Sequence, residues 1–206
     1  MLQVKRIAVD ALILAGGKNL RMRGNYKGDL KAGGETFADH LIREMKKISD
    51  HIYLSYGAVS HGEKEGCTVV RDIHPGCGPV SGLEAGLTFC CSEYLLAAAC
   101  DMPFLRAEFY ELLLDRGAEE AEKTGLFPDC IVPLLHGRPD VLAAVYSKRM
   151  LPVIRRLIRQ GIYKPRAAAE QVNTLYVPLD GLPEYATMLQ NINTPEEYSK
   201  ITERSL

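Results

Sequence analysis

The sequence predicts an α/β protein with a doubly wound, mostly parallel sheet and helices on both faces. Three observations support this class. Short apolar runs alternate with stretches of helical periodicity along the whole chain. Two of the runs, 7–14 and 94–99, are almost continuously apolar, as strands covered on both faces are. Glycine and proline mark the boundaries between the runs. Such sheets bind ligands at the carboxyl ends of their strands.

The elements follow from the local patterns in chain order. Apolar runs predict strands at 7–14, 51–55, 67–71, 94–99, 129–133, 141–146 and 174–177. Helical spacing predicts helices at 37–48, 80–91, 106–122, 148–160 and 167–172. Gly161 closes the basic helix 148–160. Thr194 and Pro195 suit the N-cap and first position of a final helix.

Length and composition predict a single domain over 1–206, with one half to about residue 105 and a second half, about 106–206, closing the site from the other side. The 47% apolar and 25% charged shares are typical of globular proteins. A net charge of −1 argues against a nucleic-acid or membrane-surface binder, which is usually basic. Any phosphate binding must therefore come from a few clustered cations.

The six cysteines form no Cys-x-x-Cys pair and no spaced His/Cys cluster, which argues against a structural zinc site and favours buried free thiols. The five histidines have no partner at ligand spacing and are expected on the surface or in turns. No signal peptide and no apolar run of about 20 residues is present. We expect a reduced, cytoplasmic protein.

The first strand ends in Ala15-Gly16-Gly17 and continues into a polar loop that carries four cations: Lys18, Arg21, Arg23 and Lys27. Glycine lets the backbone approach a ligand and present its N–H groups, and arginine and lysine match phosphate oxygens. The stretch is neither a Walker loop nor the dinucleotide fingerprint. It is interpreted as a phosphate-holding loop, with an ordinary surface turn as the alternative.

Two further loops follow predicted strands and should open into the same crevice. In the first, Asp72 precedes Gly78-Pro79 and a helix N-terminus, which favours an anion. Asp72 could hydrogen-bond a base or a sugar, or it could cap a turn. In the second, Asp101 directly follows the run 94–99, and its carboxylate suits Mg²⁺. A structural cap is the alternative for Asp101.

Five motifs occur in a family-specific order along the chain: Leu14-Ala15-Gly16-Gly17, Arg21-Met22 with Lys27, Gly78-Pro79-x-x-Gly82-Leu83, Asp101-Met102-Pro103-Phe104, and Asn191-Ile192-Asn193-Thr194-Pro195-Glu196. Together they resemble the signature of MobA-like nucleotidyltransferases, a group that includes the molybdenum cofactor guanylyltransferases. The resemblance implies a Rossmann-like sheet of the nucleotide-diphospho-sugar transferase type.

The resemblance also implies roles for individual residues. The catalytic residues would be Arg21, Lys27 and Asp101, with Asp101 as the metal ligand. The nucleotide would be bound by Leu14, Ala15, Gly16, Gly17, Lys27, Asp72, Gly78 and Asp101. The acceptor would be bound by Asn191, Asn193, Lys164 and Arg166. The asparagines could instead satisfy turn backbone, and Lys164 and Arg166 could form a solvated surface patch.

The implied activity is transfer of GMP from GTP to the terminal phosphate of molybdenum-bound molybdopterin, with Mg²⁺ as cofactor and pyrophosphate as the second product. Implied partners are GTP, the molybdenum cofactor, and proteins that deliver or accept it. The sequence departs from the family pattern at Arg23 and Tyr26, and it has Ser55-Tyr56-Gly57 where an asparagine is usual. The alternatives are a relative that uses CTP or another acceptor, including a sugar phosphate, and a non-catalytic nucleotide-binding regulatory protein.

Overall fold

A computed structural model describes residues 7–16, 27–57 and 62–203, with the backbone alone for Lys27, Thr202 and Glu203. The strands are β1 (Val9–Leu14), β2 (Lys31–Ala32), β3 (Glu35–Thr36), β4 (Ile52–Ser55), β5 (Thr68–Val70), β6 (Tyr94–Ala99), β7 (Cys130–Leu135), β8 (Arg138–Pro139), β9 (Ala143–Ser147) and β10 (Thr174–Pro178). The α-helices are α1 (Phe37–Met45), α2 (Pro79–Phe89), α3 (Ala107–Thr124), α4 (Leu151–Arg159), α5 (Pro165–Ala169), α6 (Pro183–Met188) and α7 (Pro195–Glu203).

The main sheet is mixed, with a parallel centre. Its strand order is β10-β7-β9-β6-β1-β4-β5, and β8 pairs with β7. The four strands β5, β4, β1 and β6 run parallel, and β10 is parallel to β7. Strand β9 is antiparallel to both of its neighbours, β6 and β7. The predicted mostly parallel α/β sheet is therefore confirmed.

Alternate residues of β1 show how the two helical layers are built. Ala11 and Ile13 pack in the core that contains residues of α1 and α3. Leu12 and Leu14 pack in the opposite core, with residues of α2, α4 and α5. Successive side chains of a strand point to opposite faces, so a continuously apolar strand needs cover on both. The doubly wound arrangement follows from this.

The structure differs from the sequence prediction mainly in short elements. The hairpin β2–β3 and helix α6 were not predicted, because segments of two to six residues carry too few positions to show a period. Helix α5 begins at Pro165 rather than at residue 167. The basic helix begins with a 3-10 turn at Lys148–Met150 before α4. These elements lie in the segments that connect the strands, and they do not alter the strand order of the main sheet.

All six cysteines are free thiols, as predicted. Four are buried, at Cys77, Cys90, Cys100 and Cys130. The expectation of burial is wrong for Cys91, which is exposed, since helix α2 ends at Phe89 and leaves Cys91 in the turn that follows. Within the described ranges, no helix is both long enough and apolar enough to cross a bilayer.

Both predicted halves of the chain contribute strands to the same sheet, because β6 of the first half pairs with β9 of the second. The boundary predicted near residue 105 lies just before α3, which begins at Ala107. The division into a nucleotide half and an acceptor half stays a prediction.

Candidate functional site

The candidate site lies where the carboxyl ends of the central parallel strands meet. From β1 the chain passes to β4 on one side and later returns to β6 on the other, so the strand order reverses at β1. Crevices that bind ligands form at such reversals. Because β9 is antiparallel to β6, the residues that precede β9 also lie at this edge. We call this edge the carboxyl edge and the opposite one the amino edge.

The first loop leaves β1 in close contact with the strands beside it. The Ala15 amide donates to the carbonyl of Ser55 at 2.7 Å, and the Cys100 amide donates to the carbonyl of Leu14 at 3.0 Å. A Cβ on Gly16 would lie 2.8 Å from the amide nitrogen of Gly57, closer than a real Cβ comes to another atom. Gly16 is therefore required for the loop after β1 to lie against the loop after β4.

The predicted nucleotide residues Leu14 and Ala15 are buried, and Gly16 is exposed at the carboxyl edge. At Gly16 a ligand can contact backbone atoms only, which fits a loop that binds phosphate through main-chain N–H groups. Gly17 and Arg21 lie outside the described residues. Lys27 begins a 3-10 turn, Lys27–Asp29, and its side chain is not described. Their assigned roles stay predictions.

Asp72 lies beside this first loop. The Ser55 hydroxyl donates to Asp72 Oδ1 at 3.1 Å. The other oxygen, Oδ2, is 3.8 Å from the position of a Cβ on Gly57. Burial raises the pKa of Asp72 and the charge of Glu84 raises it further, while the Ser55 hydrogen bond lowers it. Asp72 thus gains stabilisation from any further hydrogen-bond donor that a ligand brings.

The segment Ser55-Tyr56-Gly57, which stands in place of the family's usual asparagine, has a defined role in this arrangement. Ser55 supplies the hydroxyl that binds Asp72, and Gly57, with φ of +72°, allows the close approach of Gly16. Ser55 and Gly57 together therefore fix Asp72 and the loop of Gly16 relative to β4. Tyr56 is buried.

The second loop leads into α2 through Gly78, whose φ of 67° and ψ of −154° place it in a conformation that favours glycine. Pro79 occupies the first turn of the helix, and no side chain among the described residues caps it. Further along α2, a Cβ on Gly82 would lie 2.6 Å from Leu14 Cδ2 and 3.0 Å from Ser55 Oγ. Gly82 therefore lets the beginning of α2 lie directly against β1 and β4.

A buried glutamate, which sequence reasoning missed, anchors this loop. Glu84 Oε2 lies 2.6 Å from His74 Nδ1, and Arg155 of α4 donates to Glu84 Oε1 at 3.2 Å. The backbone amide of His74 also donates to the buried Ser81 hydroxyl at 3.2 Å. Histidine at position 74 and glutamate at 84 are ten residues apart, so no fixed spacing indicated the pair. The contacts hold the Asp72 loop against the helical layer.

The third loop carries Asp101, the predicted metal ligand, and brings a second carboxylate beside it. Asp140 shortly precedes β9, the antiparallel neighbour of β6, and it is close enough to Asp101 for the two charges to interact. Burial raises the pKa of Asp140, and the charge of Asp101 raises it further, while the Leu142 amide, which donates to Asp140 Oδ1 at 3.0 Å, lowers it. Two neighbouring carboxylates offer the hard oxygen donors that Mg²⁺ prefers.

The sequence predicted a strand at 141–146 and assigned no role to Asp140. The available signal was an aspartate directly before a strand, but such a residue lies at the carboxyl edge only if that strand runs antiparallel to its neighbours. The direction of β9 is decided by its pairing with β6 and β7.

The C-terminal motif is tied to the third loop. The Ile192 amide donates to the carbonyl of Asp101 at 2.8 Å, which brings Asn191 and Asn193 beside Asp101. Glu197 Oε2 accepts from the amide of Thr194 at 3.1 Å, and the Thr194 hydroxyl accepts from the amide of Glu197 at 3.2 Å. This reciprocal capping box confirms Thr194 as the N-cap of α7. The backbone that carries the two asparagines therefore lies next to Asp101, and their contact with an acceptor stays a prediction.

The remaining acceptor residues lie elsewhere. Lys164 precedes α5 and Arg166 lies within it, and both are exposed. Arg166 Nε donates to Glu170 at 2.8 Å. Helix α5 belongs to the layer formed with α2 and α4, not to the loops that follow β1, β5 and β6. The exposed ion pair with Glu170 is consistent with the surface-patch alternative for Arg166, and an acceptor role for Lys164 and Arg166 stays a prediction.

Comparison with known proteins agrees with this architecture. A family model described as the MobA-like NTP transferase domain matches residues 11–174. Two relatives, each named probable molybdenum cofactor guanylyltransferase, come from Halalkalibacterium halodurans (28% identical over 93% of this chain and 96% of the relative) and Carboxydothermus hydrogenoformans (31% identical over 92% of each).

Solved structures show the same fold. The molybdopterin-guanine dinucleotide biosynthesis protein A from Archaeoglobus fulgidus superposes with a TM-score of 0.73 at 26% identity, over 95% of this chain and 97% of that one. The 2-C-methyl-D-erythritol 4-phosphate cytidylyltransferase from Thermus thermophilus superposes with a TM-score of 0.67 over 97% and 99% of the chains. At 15% identity, the second likeness concerns the fold alone.

Proposed function

The chain belongs to the MobA-like NTP transferase family, and on that premise we propose that it is a molybdenum cofactor guanylyltransferase. It would transfer GMP from GTP to the terminal phosphate of molybdenum-bound molybdopterin and release pyrophosphate. The names of the relatives from Halalkalibacterium and Carboxydothermus support this substrate pair. Proteins that deliver or accept the cofactor would be its partners.

One observation carries the proposal. The Ile192–Asp101 hydrogen bond joins the C-terminal asparagine motif to the loop that bears the candidate metal ligand. The same edge of the sheet holds the exposed backbone of Gly16 and the carboxylate of Asp72. A nucleotide that spans Gly16 and Asp72 would therefore present its phosphates toward Asp101, and an acceptor beside Asn191 and Asn193 would meet them there.

In the proposed reaction, an oxygen of the acceptor phosphate forms a bond to the α-phosphorus of GTP. The bond from that phosphorus to the oxygen bridging to the β-phosphate breaks, and pyrophosphate leaves with the electron pair. The attacking oxygen is already anionic, so no general base is needed. Arg21, Lys27 and the main-chain N–H groups around Gly16 would stabilise the charge that develops on the leaving group.

Asp101 would hold Mg²⁺, with Asp140 as a second oxygen donor beside it. Both offer carboxylate oxygens, the ligands that Mg²⁺ takes together with substrate phosphates. When bound, the ion supplies Lewis-acid polarisation of the phosphoryl oxygens and alignment of the two substrates. Asp140 is held in place by the Leu142 amide, and Asp101 by the turn in which the Met102 amide donates to the Ala99 carbonyl. Positioning of this kind supplies much of the rate in phosphoryl chemistry.

A CTP-using transferase with the same chemistry is the second candidate. It is favoured by the Ser55–Asp72 hydrogen bond, which stands where guanylyltransferases usually have an asparagine near the base. A sugar phosphate or another phosphate acceptor would require the same transfer step. A non-catalytic nucleotide-binding protein is the third candidate, because of Arg23 and Tyr26.

A thermal-shift panel with GTP, CTP, ATP and UTP, each with and without Mg²⁺, tests these candidates. A ligand at 100 times its Kd stabilises the folded state by about 2.7 kcal/mol, so a selective nucleotide stands out. We expect the largest increase in Tm with GTP and Mg²⁺, followed by pyrophosphate release when molybdopterin is added. A shift selective for CTP would replace the guanylyl assignment. Nucleotide binding without pyrophosphate release would favour the non-catalytic candidate.

A further inference from the structure

Three potential metal ligands of different chemistry meet at the amino edge of the sheet, away from the candidate active site. Asp10 lies in β1, His51 immediately precedes β4, and Cys91 lies in the turn between α2 and β6. One ligand atom from each, a carboxylate oxygen, an imidazole nitrogen and the Sγ, lies within 4.8 Å of the other two. We call these three residues the amino-edge cluster.

The carboxylate of Asp10 is completely buried and held in one orientation. Its Oδ2 accepts from the amides of Cys91 at 2.7 Å and Ser92 at 3.1 Å. Its Oδ1 accepts from the Ser92 hydroxyl at 2.9 Å and lies 3.1 Å from His51 Nδ1. Burial alone raises the pKa of Asp10, but the hydrogen bonds from Ser92, His51 and Cys91 outweigh it, so that the pKa is lowered and the group is ionised.

The hydrogen bonds from the 91–92 turn resemble the outer-shell contacts that orient a metal-ligating carboxylate. A tetrahedral Zn²⁺ with bonds of about 2.0–2.2 Å to nitrogen and oxygen separates those two atoms by about 3.3 Å. The 3.1 Å between Asp10 Oδ1 and His51 Nδ1 is close to this value. The imidazole of His51 and the thiol of Cys91 are both exposed, so the two side chains can adjust.

We propose that Asp10, His51 and Cys91 form a binding site for a borderline-soft divalent cation, with Zn²⁺ the best match, and with water as the fourth ligand. Carboxylate, imidazole and thiolate together match Zn²⁺, whereas Mg²⁺ prefers oxygen alone. Binding replaces the His51–Asp10 hydrogen bond by two metal bonds. The proton that Nδ1 donates to Asp10 is lost to water, and a proton is held on Nε2 instead, so that the imidazole binds as a neutral ligand through Nδ1. The thiol of Cys91 also releases its proton to water.

The ion would join three parts of the chain that are distant in sequence. It would connect β1, the start of β4 and the turn before β6 at the centre of the sheet. Tyr53 supports that turn, since its hydroxyl donates to the carbonyl of Phe89 at 2.9 Å and lies 3.7 Å from Cys91 Sγ. A ligand that binds only the folded state raises its stability, so the expected consequence is a higher Tm. The inference does not depend on the proposed nucleotide chemistry.

The experiment uses the full chain, freed of metal by chelation and kept reduced. Co²⁺ is titrated as a spectroscopic substitute for Zn²⁺, and a near-ultraviolet sulfur-to-cobalt charge-transfer band reports a thiolate ligand. Zn²⁺ is then added, and the bound metal is measured by elemental analysis. We expect one ion per chain, loss of the band when Zn²⁺ replaces Co²⁺, and a higher Tm with Zn²⁺.

Variants test the ligands one by one. Cys91→Ser and His51→Ala change exposed side chains and should fold, which the Tm without metal checks. Loss of an outer-shell contact typically weakens metal binding by about 10–100-fold, and each of these two variants should weaken Zn²⁺ binding by more than that. Cys91→Ser should also lose the charge-transfer band. Cys67→Ser, a change at another partly accessible thiol, is the control and should keep both.

The proposal is overturned if the band persists in Cys91→Ser, if Cys67→Ser removes it equally, or if the wild-type chain binds no stoichiometric Zn²⁺. Metal bound at the carboxylates of the opposite edge would produce no sulfur band, so such binding cannot be mistaken for support.

Discussion

The amino edge and the carboxyl edge of the sheet differ in how they stabilise carboxylates that are fully or partly buried. At the amino edge, Asp10 is surrounded by hydrogen-bond donors, and its pKa is lowered. At the carboxyl edge, burial raises the pKa of Asp72 and of Asp140, and in each case a neighbouring carboxylate raises it further. The difference shows that one edge stabilises its negative charge internally, whereas the other gains from a cation or donor brought by a ligand.

The two edges also differ in the ligand atoms that they offer. The carboxyl edge presents aspartate oxygens at positions 72, 101 and 140. The amino edge presents one carboxylate together with an imidazole and a thiol. Hard cations prefer oxygen, and borderline cations accept nitrogen and sulfur, so the two edges should select different ions. Three substitutions test this comparison, from the largest expected effect to the smallest.

Asp101→Asn should have the largest effect. The amide keeps the shape of the side chain and leaves the Ile192 hydrogen bond to the backbone carbonyl intact, but it removes the charge that would hold Mg²⁺. We expect initial rates of pyrophosphate release to fall about 10³-fold, as when an electrostatic contact to a transition state is lost. Asp115→Asn, on the exposed side of α3, is the matched control. A rate for Asp101→Asn within a few-fold of wild type would remove Asp101 from its proposed role.

Asp10→Asn should destabilise the metal-free fold. The amide nitrogen cannot accept the donors that surround the carboxylate, so we expect a loss of about 1–3 kcal/mol in urea unfolding at pH 7. Because the folded pKa of Asp10 is lowered, its contribution is present above about pH 4 and is lost as the pH falls through the folded pKa. The difference in unfolding free energy between Asp10→Asn and wild type should therefore become smaller at acidic pH. Asp50→Asn, at an exposed position of the same edge, should show no comparable effect.

Asp72→Asn should act in the opposite direction and more weakly. The amide oxygen still accepts from Ser55, while the charge disfavoured by burial and by Glu84 disappears. We expect the Tm of the ligand-free protein at pH 7 to rise by about 1–3 °C. Because the pKa of Asp72 is raised in the folded state, wild type loses stability as the pH rises through that pKa. The difference in Tm between Asp72→Asn and wild type should therefore vanish below about pH 4. A lower Tm at pH 7 would show that the two edges do not differ in this respect.

Much of the architecture, and the edge of the sheet at which the candidate site residues lie, could be predicted from local patterns. The runs 7–14 and 94–99 became β1 and β6, the central strands, and Asp101 follows β6 as expected. Leu14, Ala15, Gly16, Asp72 and Gly78 all lie at or next to the carboxyl edge. This succeeded because burial on two faces leaves a long apolar run in the sequence and because the ends of parallel strands lie at the same edge.

Other features had no local signal. The position of Asp140 at the carboxyl edge could not be predicted without the direction of β9. The contact between His74 and Glu84 could not be predicted without knowing how α2 packs. The buried-thiol interpretation was wrong for Cys91 because α2 ends two residues earlier. The amino-edge cluster joins residues 10, 51 and 91, and a search for metal sites by close spacing could not detect it.

The sequence by itself therefore determined the order of the longer strands and helices, the family, and the glycines that mark turns between them. Each of these follows from the periodicity of burial or from the conformational range of a single residue, which neighbouring residues reveal. Only the tertiary structure decided which carboxylates stand near one another, which thiol is exposed, and which residues meet at the two edges. Those relations depend on strand direction and on contacts between segments far apart in the chain. Short-range sequence patterns do not encode such contacts.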